Sequence, residues 1–113
     1  MKVHPQDIGA IYAAFIDNEV SPKASSGVQK FMAYMSVFAI QKQAQDYVTH
    51  PKRMEQMKSM GIMDEQGLID ADYLKEMATY AMKKSGGTIE AMGLLLSQSD
   101  IDTMYSLARS FAK

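Results

Sequence analysis

Ser26-Gly27-Val28-Gln29-Lys30-Phe31-Met32-Ala33-Tyr34-Met35-Ser36-Val37-Phe38-Ala39-Ile40-Gln41-Lys42-Gln43-Ala44-Gln45-Asp46-Tyr47-Val48 is the stretch whose reading decides the fold. It reads as one long helix. Ser26 and Gln29 have capping-box spacing: the serine oxygen accepts from the backbone three residues on, and the glutamine reaches back. The middle, Phe31 to Ile40, is apolar on nearly every face, and a helix that is apolar all round is normally buried all round. At 1.5 Å per residue it would be roughly 33 Å long, while a compact chain of this length has a radius of gyration of about 13 Å. The expectation is a buried helix that crosses the globule, with everything else wrapped around it. From Gln41 to Asp46 the sequence turns polar, and only Tyr47 and Val48 keep an apolar edge. The last third should therefore emerge toward solvent or a partner.

Upstream, a first helix starts at Pro5, where a missing N–H costs nothing. Ile8, Ile11, Tyr12, Phe15 and Ile16 fall at i, i+3, i+4, i+7 and i+8, one apolar stripe. Asp7 suits the positive end of its dipole. The helix should stop near Asn18 to Val20, with Ser21-Pro22-Lys23-Ala24-Ser25 as the connection.

Downstream, His50-Pro51 ends the long helix, because proline pushes the preceding residue out of the α region. A short third helix runs from Pro51 to Met60 and is closed by Gly61. After a turn at Met63 to Gly67, a fourth helix spans Ala71 to Lys84, with Leu74, Met77, Ala78, Ala81 and Met82 toward the core. Lys83 and Lys84 sit at its negative end and Ser85-Gly86-Gly87 stops it. Thr88 to Leu96 reads as either short helix or strand, with helix or irregular structure slightly ahead, since Gly93 weakens a helix. Gly93-Leu94-Leu95-Leu96-Ser97 echoes Gly67-Leu68-Ile69-Asp70, so those two segments are candidates to pair as a minimal two-stranded ribbon. The last helix starts at Ser97 or Ser99, with Asp100 or Asp102 completing a cap, and runs to the terminus. The fold class expected is all-α: about five helices around one long buried helix, in a single domain over residues 1–113.

Composition narrows function mainly by exclusion. The chain has 113 residues, 47% hydrophobic and 22% charged, which suits one soluble domain with one core. A net charge of −1 gives no general attraction to nucleic acid or anionic membrane. No apolar run reaches the roughly 20 residues of a membrane span, and the N-terminal residues lack the apolar core of a signal peptide. The absence of cysteine rules out disulfides and thiolate zinc sites and fits a cytoplasmic protein.

Catalytic and metal chemistry finds little support in the residues. A calcium loop framed on Gly67 and Ile69 would need an acid at its first place and a glutamate at its twelfth, where Ile62 and Tyr73 stand. The same frame on Gly93 puts Thr88 and Ser99 there. The two histidines, His4 and His50, precede prolines at helix starts and lack clustered ligands. No serine sits in a nucleophile turn, and Ser85-Gly86-Gly87 is a helix stop rather than a phosphate cradle. No enzyme, cofactor or metal is expected.

What remains is a surface. Eleven methionines are many, and this unbranched side chain serves both irregular cores and adaptable binding faces. Met54, Met57 and Met60 line one side of the short third helix, Met63 extends the line, and Tyr47 lies close by in sequence. The function expected is a small non-catalytic interaction or regulatory protein, self-associating or bound to another protein through these five residues, with no membrane partner. The alternative is a nucleic-acid-binding regulator that uses Lys52, Arg53 and Lys58 on a helix-turn-helix-like element around residues 50–84. Against it, a local excess of two positive charges is far short of a basic stripe.

Overall fold

In a computed structural model the apolar stripe of the first helix finds its neighbours. Residues 1–20, 27–91 and 94–113 are described. The elements are β1 (Lys2–Val3), α1 (Pro5–Phe15, continued by a π-helical turn Ile16–Val20), α2 (Gly27–Thr49), α3 (Pro51–Ser59), β2 (Ile69–Asp70), α4 (Ala71–Lys84), β3 (Thr88–Ala91), β4 (Leu94–Ser97) and α5 (Gln98–Ala108), followed by a 3-10 turn Arg109–Phe111. The described chain is thus mostly helical, with five α-helices and two small antiparallel sheets.

Most boundaries follow local chemistry. Asp70 caps α4, its carboxylate accepting from the N–H groups of Asp72 at 3.0 Å and Tyr73 at 3.2 Å. Ser97 and Asp100 close a reciprocal cap on α5: the Asp100 N–H donates to the serine oxygen, and the Ser97 N–H donates to the aspartate. Gly61 takes φ +79° after α3, and the Ile62 N–H returns to the Met57 carbonyl at 3.0 Å, a left-handed stop open to glycine without strain. The proposed Ser26 cap and the connection at residues 21–25 lie outside the described residues.

The long helix is present at the expected length, but its burial all round is not found. Phe31 is 62% exposed, Met35 48% and Phe38 65%. Among the described side chains of α2, Val37 and Ile40 turn inward and pack on a cluster of Tyr12, Phe15, Ile16 and Leu96. The helix nearest the middle of the core is therefore α1. Ile11, Tyr12, Phe15 and Ile16 are all buried, and α1 packs against both α2 and α5. The physical reason is how the helices are shared out: α1 packs along one side of α2 and α3 meets it, while α5 packs on α1 and α4 instead. A second cluster of Val3, Met63 and Ile69 gathers Ile8, Met54, Met57, Leu74 and Phe111.

The ribbon also differs from expectation. The segments ahead of α4 and α5 are both strands, but they do not pair with each other. Ile69–Asp70 pairs with Lys2–Val3, in register Val3↔Ile69 and Lys2↔Asp70. Leu94–Ser97 folds back on Thr88–Ala91, in register Ile89↔Leu96. Closing a hairpin over neighbouring residues costs less chain entropy than joining segments some 25 apart. It also places Leu96 in the core and leaves Leu95 outside, the alternation of a strand with one wet face. Residues 88–91 and 94–97 are thus strand, not helix. On α4, Met77 is exposed rather than in the core, which Ala71 and Met82 occupy.

Candidate functional site

The methionines of α3 divide between core and surface. Met63 is only 4% exposed and packs with Val3 and Ile69. It bridges to Ile69 as a strand would and so leaves the expected partner surface. Met54 and Met57 are half-buried against the same cluster. Met60, at 50%, is the one of the four that reaches well into solvent. The side chain of Tyr47 lies outside the described residues. Beside Met57 and Met60, a cavity of about 410 Å³ opens between α1, α2 and α4, walled by Ile8, Ile40, Gln56 and Leu74. A second cavity of about 220 Å³ shares Ile8, Ile40 and Leu74 and reaches Lys75 and Tyr105. Its walls are almost wholly apolar.

The larger apolar surface is on α2, where the sequence reading placed core. Phe31, Met35 and Phe38 follow one another at i, i+4 and i+7, so they form one stripe, on the side away from Val37 and Ile40. Lys42 and Gln45 continue the stripe and are exposed too. This 4-3-4-3 spacing was available in the sequence, but the apolar residues on the other faces concealed it. A lesser stripe of Tyr73, Met77 and Tyr80 lies on α4, where the Lys84 ammonium covers the Tyr80 ring at 4.8 Å.

The charged alternative is arranged differently from a groove-reading element. Lys52 and Arg53 are exposed and Lys58 is half-buried. At 3.6 residues per turn, positions 52, 53 and 58 are spread around α3 rather than aligned. Between α3 and α4 the connection runs from Met60 to Asp70 and contains β2, whereas a helix-turn-helix turn has about three or four residues.

The titratable groups serve local structure. Asp72 accepts hydrogen bonds from the amino group of Met1 and the Tyr105 hydroxyl. The Met1 ammonium foremost, and then Tyr105, hold its carboxyl below the usual range. The same carboxylate pushes the Tyr105 phenol up, away from the ionised form a tyrosine base would need. Lys75 lies 4.5 Å over the Tyr105 ring and 3.7 Å from Asp102. Asp64 accepts from the N–H groups of Leu68 and Gln66, each at 2.9 Å. With Leu68 the strongest influence, these bonds and nearby Lys2 lower its carboxyl despite some desolvation. Asp64, Asp70 and Asp72 are therefore engaged in turn, cap and ion pair. Among the described residues no three His, Asp or Glu side chains converge as metal ligands, and no helix is long and apolar enough to cross a membrane.

Comparison with protein-family models, curated proteins and solved structures gives no match to this chain.

Proposed function

We propose that this chain is a small non-catalytic interaction domain whose working surface is the exposed side of α2. The observation that carries the reading is the stripe of Phe31, Met35 and Phe38, left open on the apolar part of α2. Large apolar side chains in a row have a transfer free energy of roughly 1.5–3 kcal/mol each to gain from a partner, before the costs of association. A cytoplasmic setting belongs to the same proposal and rests on the lack of cysteine.

The test is capture from a lysate of the source organism by the wild-type chain and by Phe38→Glu, each with and without nuclease. Proteins retained by wild type after nuclease and lost with Phe38→Glu support the reading. Retention that nuclease removes would transfer the function to the nucleic-acid alternative and to Lys52, Arg53 and Lys58. Equal capture by both chains would remove α2 as the surface.

A further inference from the structure

We infer that the partner of the α2 stripe is a second copy of α2, laid antiparallel across a two-fold axis that passes between Met35 and Phe38. The inference rests on the interaction-domain reading and adds to it the identity of the occupant and its orientation.

Three observations lead to it. First, Phe31, Met35, Phe38, Lys42 and Gln45 repeat at 4-3-4-3 along one exposed line. That is the spacing by which one helix presents a continuous seam to another. Second, Lys42 decides the orientation. In a parallel, in-register pair each seam residue meets its own copy, so Lys42 would face Lys42 with both ammonium groups on the seam. In an antiparallel pair, Met35 lies opposite Phe38 of the second copy and Phe31 lies opposite its Lys42. The lysine stem then covers a phenyl ring, the ammonium can sit over the ring face, and the two lysines stand 11 residues apart, about 16 Å along the helix. The same register brings Asp46 level with Gly27 of the second copy, the positive end of that helix.

Third, the area fits a weak homodimer. An aromatic side chain can bury about 150–250 Å². At the exposures found, Phe31, Met35 and Phe38 together offer on the order of 300 Å² per copy, and Ala39 and the Lys42 stem add to it. The helices overlap from residue 27 to 46, about 30 Å. A standard interface buries about 800 Å² per partner, somewhat over half of it apolar. The α2 pair falls toward the lower end of that range, so the dimer should be reversible. Because a two-fold pair is closed, association stops at two.

The experiment uses the full chain and takes advantage of its having no cysteine. Sedimentation equilibrium of wild type and Phe38→Glu gives the association state, with circular dichroism as a check that both fold alike. Oxidation of Phe31→Cys alone, Lys42→Cys alone and an equal mixture gives the orientation. The expected result is a monomer–dimer equilibrium for wild type, its loss in Phe38→Glu with the helix signal kept, and a disulfide-linked dimer from the mixture but from neither variant alone. A disulfide dimer of Phe31→Cys with itself would overturn the antiparallel arrangement. A wild type that stays monomeric up to about 1 mM would overturn the second copy as occupant. In that case the capture experiment separates the two ideas: dependence on Phe38 keeps the interaction domain with another protein as partner, and independence removes both.

Discussion

Gly9 stands against Gln41 so closely that a methyl group on the glycine would lie 2.6 Å from Cγ and 3.4 Å from Cα of the glutamine. This contact sets how near α1 and α2 approach, and through them how Val37 and Ile40 reach Phe15. Gly9→Ala asks only that the Gln41 side chain turn aside, and it gains about 1 kcal/mol of helix propensity in return, so its stability should stay near wild type. Gly9→Leu must push the helices apart and should cost about 1–3 kcal/mol, as overpacking does. Urea midpoints of the three chains check the order. A Gly9→Leu chain as stable as wild type would mean that α2 is free to shift on α1.

Phe15 and Phe38 make the sharper comparison, because their sequence surroundings look alike and their environments do not. Phe15 is 1% exposed, so Phe15→Ala should cost about 3–5 kcal/mol. Phe38→Ala removes a ring that touches mostly water in the monomer. Measured at a concentration where the chain is monomeric, it should stay within about 0.5 kcal/mol of wild type. Equal losses would mean that α2 is buried on both sides within one copy.

That pair also shows what the sequence carried and what it hid. Local signals were legible: the stripe from Ile8 to Ile16, a cap at Ser97 or Ser99 and the break at His50-Pro51 depend on residues within a turn or two of each other. The role of α2 was not, because apolarity on every face states that a helix will be covered without stating by what. The strand pairings failed for a related reason. Whether Ile69 pairs with Val3 or with Leu96 is settled by which residues need burial, against a small chain-entropy preference for the nearer Leu96, and a glycine followed by apolar residues looks the same in either case.

Asp72 gives a prediction in pH. Its carboxyl is held low by Met1 and Tyr105 in the fold, against about 3.9 in an unfolded chain. The stability it contributes is therefore complete above that unfolded value and is lost as pH falls through the lower folded one. Tyr105 is raised in the fold, so its contribution is complete below about 10 and is lost as pH climbs above that. Melting temperature should fall less steeply from pH 5 to 2 in Asp72→Asn than in wild type. Tyr105→Phe should flatten the acid limb only in part, because the Met1 ammonium is the stronger influence, and should also flatten the limb above pH 10. An Asp72→Asn profile parallel to wild type in acid would show that other carboxylates govern this limb.

The caps at Asp70 and Ser97 should each have a measurable worth. Asp70→Ala leaves the Asp72 and Tyr73 N–H groups to water and removes a carboxylate from the positive end of α4; a loss of about 0.5–2 kcal/mol is expected. Ser97→Ala should cost a similar amount at α5. The two caps share no hydrogen-bond partner, so the double variant should lose close to the sum. A marked departure from additivity would indicate that the two helix starts are energetically coupled.

Met60 and Met63 separate the surface use of methionine from its core use within one turn of chain. Both were read as one stripe because spacing alone places them three apart. The Gly61 reversal, with its positive φ, turns the chain between them, so Met60 faces outward while Met63 enters the cluster with Val3 and Ile69. Met63→Glu would bury a carboxylate without a partner and should unfold or severely destabilise the chain. Met60→Glu should leave the fold intact. Met57→Glu belongs with the first of these, since Met57 leans on the same cluster, so its failure to associate would report folding rather than recognition. Circular dichroism and thermal melting of the three variants decide the matter: a well-folded Met63→Glu would remove this residue from the core, and an unfolded Met60→Glu would place it there.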